Sequence, residues 1–157
     1  MAIEAGRAAP LFTLMDKDGK RVSLGNFRGK DVILYFYPKD NTPGCTKEAC
    51  GFRDHWKQIQ KLGAVVLGIS PDSPESHARF AGEHKLPFIL LSDPDRKVMT
   101  KYGAYGPKTM YGKESIGVIR STVWIGRDGK IRKHWARVAK AEAHPAQVLE
   151  ALMSGGV

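Results

Sequence analysis

Short apolar runs alternate with amphipathic segments along the chain. The two longest, residues 32–37 and 64–69, consist mainly of β-branched, aliphatic and aromatic residues. Continuous runs of this kind are typical of strands that are buried on both faces of a sheet. Neither run approaches the roughly 20 residues that are needed to cross a bilayer. Because the strand-like runs alternate with helical patterns, we predict an α/β or related layered fold.

Two glycine turns predict hairpins outside this central pair. Asp18-Gly19 lies within residues 11–24 and predicts a small hairpin near the N-terminus. Asp128-Gly129 separates two apolar segments, which predicts paired strands at 119–125 and 130–136. Residues 104–118 are rich in glycine and predict a long loop.

Capping residues predict where the helices begin. An amphipathic pattern covers about residues 45–62. Ser73-Pro74 and Asp93-Pro94 each place a capping side chain directly before a proline, which predicts a second and a third helix. Gly103 is expected to end the third. A last helix is predicted over about residues 145–153.

Composition indicates one folded domain, which we assign to residues 1–157. The formal net charge is +9, with 25 Lys and Arg against 16 Asp and Glu. Such an excess could indicate nucleic-acid binding, but the basic residues are spread singly from Arg7 to Lys140. We interpret them as a solvated surface, with docking of an acidic redox partner as the alternative. Without an apolar signal region at the N-terminus, we expect a cytoplasmic protein that binds neither nucleic acid nor membrane.

The chain contains two cysteines, Cys45 and Cys50, and they are close in sequence. In a reducing compartment such a pair is more often catalytic or redox-sensing than structural. Cys45 is predicted in the first turn of a helix, where unpaired N–H groups and the positive helix end stabilise an anion. A thiolate is such an anion, so Cys45 is expected to be nucleophilic. The alternative is a cysteine that merely fills the core.

The helical phase predicts how the two sulfurs relate. An apolar stripe facing the sheet is formed by Cys45, Ala49, Phe52, Trp56 and Ile59. Cys50 lies about 140° around the helix from Cys45, toward the outer face, with about 7.5 Å of rise between them. Their Cα atoms would be roughly 8–9 Å apart, beyond the limit of about 7 Å for a disulfide. The pair can therefore bond only if this turn unwinds. Gly51 either eases the unwinding or permits close packing against a neighbour.

This arrangement suits peroxide chemistry. A thiolate that attacks a peroxide O–O bond becomes a sulfenic acid, and a second thiol can condense with it before over-oxidation. Cys45 and Cys50 could supply these two steps. Their CxxxxC spacing fits thioredoxin-type dithiol exchange less well, although that remains the alternative within redox chemistry. A basic nucleic-acid-binding or chaperone-like module is the alternative from another class.

Longer motifs resemble those of a known family. Pro38-x-x-x-Thr42-x-x-Cys45 is similar to the active-site motif of peroxiredoxins, and TPGCTKEACGFRD resembles their bacterioferritin-comigratory, or PrxQ, branch. The resemblance covers nearly the whole chain, including AAPLFTL, VILYFYP, LSDPDRKVMTKYG and IRSTVWI. It implies an α/β, thioredoxin-like fold in which helices flank a central mixed β-sheet, with an N-terminal β-hairpin extension.

The resemblance also implies residue roles. Cys45 corresponds to the peroxidatic cysteine and Cys50 to the resolving one, within the same subunit. Thr42 resembles the hydroxyl that hydrogen-bonds the thiolate and the peroxide, and Pro38 resembles the residue that shields the pocket. Arg120 resembles the arginine that stabilises the thiolate and polarises the peroxide.

Further expectations concern the surroundings of this site and its partners. Glu48 could brace an arginine, or it could be an ordinary helix-surface glutamate. Some members of the branch carry the resolving cysteine on the following helix, which here contains none. The five histidines show no ligand spacing with either cysteine, so we expect neither a metal nor a cofactor. The resemblance implies a hydroperoxide substrate, a thioredoxin or similar dithiol as reductant, and a monomer.

Overall fold

The computed structural model describes residues 3–155. Its elements follow one another in this order: β1 (Thr13–Met15), β2 (Arg21–Ser23), β3 (Asp31–Phe36), α1 (Pro43–Asp54), α2 (Trp56–Lys61), β4 (Ala64–Ser70), α3 (Pro74–His84), β5 (Ile89–Ser92), α4 (Lys97–Lys101), β6 (Tyr105–Met110), β7 (Lys113–Val118), β8 (Ser121–Ile125), β9 (Ile131–Trp135) and α5 (His144–Met153).

Seven strands form one mixed sheet in the order β2-β1-β5-β4-β3-β8-β9. β3, β4 and β5 are parallel, as their helical crossovers require, and the outer strands are antiparallel. Helices pack on the sheet, and the β1–β2 hairpin extends its N-terminal edge. The predicted mixed sheet with an N-terminal hairpin is confirmed.

Two apolar clusters cover the two faces of the sheet, and β3 contributes to both. Ile33 and Tyr35 point into the cluster that contains Cys45 and Phe52 of α1. Leu34 and its even-numbered neighbours point into the other. Alternate residues of a strand face opposite sides, so a strand between two layers must be apolar throughout. This explains the unbroken hydrophobic run that marked β3 in the sequence.

Two helix predictions need correction. The helix expected over 45–62 is divided, because His55 has φ −99° and ψ 5° between α1 and α2. The apolar stripe continues across the break, so periodicity could not reveal it. The third helix begins at Lys97 rather than at Pro94, because Arg96 has a φ of 61°. Gly103, with a φ of 69°, follows its end as predicted.

The long loop predicted over 104–118 is wrong, since β6 and β7 pair there as an antiparallel hairpin. Tyr111 and Gly112 turn the chain with φ values of 52° and 76°. Two successive positive φ angles are typical of a tight hairpin turn, but asparagine or aspartate usually precedes the glycine. With tyrosine at this position, the sequence carries no recognisable hairpin-turn signal. Within the described residues, no helix is long and apolar enough to span a membrane.

Candidate active site

The end of β3 delivers the chain to the first turn of α1. Thr42 is the N-cap residue, with extended φ and ψ angles of −88° and 153°, and Pro43 begins the helix. Cys45 is the third helical residue and only 1% exposed. The N–H groups of a first helical turn lack intrahelical acceptors, so they present positive charge to a neighbouring anion. The predicted position of Cys45 at a helix N-terminus is confirmed.

Arg120 reaches the same point from the position directly before β8. β3 pairs with β8 antiparallel, with Phe36 opposite Ser121. Arg120 therefore lies beside the loop that follows β3, although it is 75 residues from Cys45 in sequence. Its Nη2 donates to Cys45 Sγ at 3.3 Å, and its Nη1 donates to Glu48 Oε1 at 2.6 Å. One planar guanidinium thus serves both groups, which a lysine ammonium cannot do in the same geometry.

Glu48 is fully buried, so the helix-surface interpretation of this residue is wrong. It lies on the same buried face of α1 as Cys45. Burial raises the pKa of Glu48 to about 7, although Arg120 acts in the opposite direction. Its second oxygen, Oε2, has no hydrogen-bond partner among residues 3–155. Burial alone would lower the pKa of Arg120, but Glu48 and Cys45 outweigh it and raise that pKa.

Thr42 and Pro38 lie on the loop that leads to Cys45. The Thr42 hydroxyl donates to the Lys39 carbonyl at 2.8 Å. Its single proton is therefore not directed at Cys45, and within the described part of the chain no hydrogen bond joins the two side chains. The Thr42 oxygen keeps lone pairs that can accept a hydrogen bond. Pro38 is half-buried at the start of the loop.

Cys50 is half-buried on α1, and both cysteines are free thiols. Since residues 43–54 are helical throughout, the two sulfurs are held apart as the helical phase predicted. A Cβ on Gly51 would lie 2.7 Å from Cγ of Pro145, the second residue of α5. Close packing against α5 therefore explains Gly51.

Sequence patterns missed two buried residues near this site. Tyr35 carries a buried hydroxyl without a hydrogen-bond partner among residues 3–155. Its pKa is raised well above 10, first by burial and then by Glu48 and Cys45. His144 is 1% exposed, with Nε2 at 2.8 Å from Thr122 Oγ1, and burial lowers its pKa to about 4. Only the three-dimensional fold brings them here, because Tyr35 stands in the VILYFYP segment simply as a buried strand residue and His144 belongs to no motif.

A buried cysteine at a helix N-terminus, in contact with an arginine on a thioredoxin-like sheet, defines the class of thiol peroxidases. The AhpC/TSA family model matches residues 5–134. The chain belongs to this family and is a peroxiredoxin.

Individual relatives agree with that assignment. A Coxiella burnetii protein named as a bcp peroxiredoxin is 51% identical over 149 residues, covering 95% of this chain and 98% of that protein. Peroxiredoxin Bcp of Bacillus subtilis is 44% identical over 152 residues, covering 97% and 96%. The bacterioferritin comigratory protein of Xanthomonas campestris has a TM-score of 0.89 at 33% identity, over 98% of this chain and 100% of that one. That structure is described in terms of alkyl peroxide reduction.

Proposed function

We propose that this peroxiredoxin reduces hydrogen peroxide and organic hydroperoxides through Cys45. The observation that carries the proposal is the 3.3 Å contact between Cys45 Sγ and Arg120 Nη2, at the N-terminus of α1. Both the guanidinium and the helix end favour negative charge on the sulfur. The same donors can stabilise the charge that develops on a peroxide oxygen when the O–O bond breaks.

The first step forms an S–O bond and breaks the O–O bond. Sulfur is oxidised to a sulfenic acid, and the distal oxygen leaves with a proton as an alcohol, or as water when the substrate is hydrogen peroxide. Thr42 is proposed to accept a hydrogen bond from the incoming peroxide, because its own proton is committed to the Lys39 carbonyl. Pro38 is proposed to shield the same pocket.

In the second step, Cys50 condenses with the sulfenic acid, releasing water and leaving an intramolecular disulfide. The sequence supports this assignment, since the chain holds no third cysteine. The disulfide needs local unwinding of α1, because a helical pair five residues apart exceeds the bonding distance. A dithiol protein of the thioredoxin type is proposed to return both cysteines to thiols.

The remaining proposals rest on likeness to the family. They are one domain over residues 1–157, action as a monomer in the cytoplasm, and catalysis without a metal or an organic cofactor. The AhpC/TSA match over residues 5–134 supports the domain assignment. Sedimentation of the reduced and disulfide forms would test the monomer.

Peroxide turnover with a thioredoxin system tests the function directly. Wild type should consume peroxide catalytically, and Cys45→Ser should consume none. Cys50→Ser should react once, leaving a sulfenic acid that over-oxidises readily. If wild type reduces protein disulfides but consumes no peroxide, the dithiol-exchange alternative is correct. If Cys50→Ser sustains thioredoxin-dependent turnover, Cys50 is not the resolving residue.

A further inference from the structure

The loop that carries Pro38 and Thr42 is fastened to the rest of the protein through Asp40. This residue is only 6% exposed. Its Oδ1 accepts the Tyr37 hydroxyl at 2.6 Å, and its Oδ2 accepts the Ser76 hydroxyl at 2.8 Å. His77 Nδ1 also lies 2.8 Å from Oδ2. Three side chains therefore converge on one buried carboxylate: Tyr37 from the segment after β3, and Ser76 and His77 from α3.

His77 connects this carboxylate to the central sheet. It is fully buried in α3, and its Nε2 lies 3.0 Å from the Leu91 carbonyl of β5. A carbonyl oxygen can only accept, so Nε2 must carry a proton. A second proton must lie between Nδ1 and Asp40 Oδ2, because both atoms would otherwise present lone pairs. The imidazole thus links the loop to β5 through two hydrogen bonds.

Hydrogen bonds to other residues complete the attachment. The Asp40 amide donates to Asp72 Oδ2 at 2.8 Å, and Asn41 Oδ1 lies 3.1 Å from His84 Nε2. Ligating atoms of Asp40, Asp72 and His77 lie within 4.8 Å of one another. However, both Asp40 oxygens and both His77 nitrogens already have protein partners. The cluster is therefore explained as an anchor rather than as a cation site.

We propose that Asp40 and His77 are positioning residues that hold the peroxide-binding loop in place while α1 unwinds. The inference rests on the proposed function, because it concerns the steps at Cys45 and Cys50. None of the partners of Asp40 belongs to α1; they lie in α3 and in the segments that follow β3 and β4. Unwinding after Thr42 breaks none of these bonds. The anchor fixes the loop for peroxide attack and sets the point at which unwinding begins.

Hydrogen exchange of wild type tests whether the anchor survives disulfide formation. In the reduced protein, the Asp40 amide is bonded to Asp72, and the Thr46 amide is bonded to the Thr42 carbonyl within α1. On oxidation to the disulfide, we expect residue 46 to lose protection and residue 40 to keep it. Equal loss of protection at both amides would overturn the proposal, and no variant needs to fold for this measurement.

Two substitutions of His77 separate anchoring from packing. The amide nitrogen of Asn falls near Nδ1 of histidine, whereas that of Gln falls near Nε2. His77→Asn therefore keeps a donor for Asp40, and His77→Gln keeps one for the Leu91 carbonyl. We expect the peroxide step to fall about tenfold in His77→Gln, since small misplacements of reacting groups can cost up to about 10²-fold. His77→Asn should stay within about twofold of wild type.

The proposal also predicts which of the two rates changes, that of peroxide attack or that of disulfide closure. Stopped-flow kinetics should show that closure of the disulfide is not slowed in His77→Gln, because the anchor does not hold α1. Identical peroxide rates in the two variants, or a slower His77→Asn, would overturn the proposal. If wild type itself fails to react with peroxide at Cys45, the proposed function fails instead. Ser76→Ala, which removes one donor to Asp40, should change the peroxide rate in the same direction as His77→Gln but less.

Discussion

Two helices of this molecule begin in the same way and end up with different tasks. α1 begins at Pro43 after the capping residue Thr42, and α3 begins at Pro74 after Ser73; both capping residues have extended φ and ψ angles. In α3 the Ser73 side chain accepts the Ser76 amide at 3.2 Å, and Glu75 adds negative charge to the first turn. In α1 the hydroxyl turns away from the helix, and the first turn contains no acidic residue.

The same sequence pattern can therefore begin a helix with a side-chain cap on its first-turn amides, as in α3, or without one, as in α1. We call the uncapped N-terminus of α1 the open helix end. Side-chain capping satisfies an orphan N–H group and stabilises a helix by about 1 kcal/mol. α3 has this stabilisation and carries the residues that anchor the loop through Asp40. α1 has no side-chain cap, so the positive electrostatic field of its N-terminus acts on the sulfur of Cys45. The absence of a side-chain cap is consistent with both the proposed reactivity of Cys45 and the proposed unwinding of this turn.

Removing Arg120 should have the largest effect, since it takes charge away from the open helix end. Arg120→Ala is expected to slow the reaction of Cys45 with peroxide by about 10²–10³-fold, the usual effect of losing one donor to developing charge. The peroxide rate of Arg120→Lys should lie between those of wild type and Arg120→Ala, because an ammonium cannot donate to both Cys45 Sγ and Glu48 in this geometry. Stopped-flow kinetics at neutral pH measures both.

Arg127→Ala is the matched control for this experiment. Arg127 forms an ion pair with Asp31 at 3.2 Å, and its side chain is 62% exposed. The substitution should leave the peroxide rate unchanged. Comparable rates for Arg120→Ala and wild type would remove Arg120 from the catalytic site.

Glu48 should give the open helix end a pH-dependent stability. Its pKa in the folded protein is about 7, above its ordinary value of 4.5. The folded state therefore holds this proton more tightly, and the resulting stability is complete below pH 4.5 and is lost as pH rises through 7. The difference in pKa corresponds to about 3 kcal/mol. Glu48→Gln cannot ionise and should lack this dependence.

Denaturant unfolding of wild type and Glu48→Gln between pH 4 and about pH 8 measures this effect. The free energy of unfolding of wild type should fall relative to that of the variant as pH rises. Parallel curves would contradict the burial argument. Glu150→Gln is the control, because Glu150 is exposed on α5 and should change nothing.

The unwinding of α1 can be tested at Lys47, which is exposed on its first turns. Lys47→Ala and Lys47→Gly remove the same side chain, but glycine weakens a helix by about 1 kcal/mol relative to alanine. If closure of the Cys45–Cys50 disulfide requires unwinding, Lys47→Gly should close up to about fivefold faster, while peroxide attack changes little. Stopped-flow fluorescence of Trp56 can follow both steps.

The same pair of substitutions at Lys57 on α2 is the control, and it should not affect closure. Equal closure rates in the two Lys47 variants would show that unwinding is not limiting. Gly51→Ala, the obvious probe from sequence, is unsuitable because its methyl group would collide with Pro145. We expect it to destabilise the native packing of α1 against α5 rather than to stabilise the helix.

Features that depend on local pattern could be predicted from the sequence. The unbroken apolar run predicts β3 from neighbouring residues alone, and Ser73-Pro74 predicts the start of α3 in the same way. The break at His55 could not be predicted, since the buried stripe passes through it. Within the site, the helix N-terminus at Cys45 followed from the residues themselves. Arg120 needed resemblance, because it meets the sulfur only through the pairing of β3 with β8.

Substitutions at the two capping residues should give the smallest effects and test whether the two hydroxyls have different roles. Ser73→Ala should lower the free energy of unfolding by about 1 kcal/mol, because the Ser76 amide loses its acceptor. It should leave the peroxide rate unchanged, since Ser73 lies outside the site.

Valine has nearly the same shape as threonine but no hydroxyl, so Thr42→Val should slow peroxide attack without removing a cap. Thr42→Ser keeps the hydroxyl and should retain the rate. Thermal unfolding and stopped-flow kinetics on these three variants decide the matter. If Ser73→Ala slows peroxide attack as much as Thr42→Val does, the two helix ends do not differ in function as their hydrogen bonds indicate.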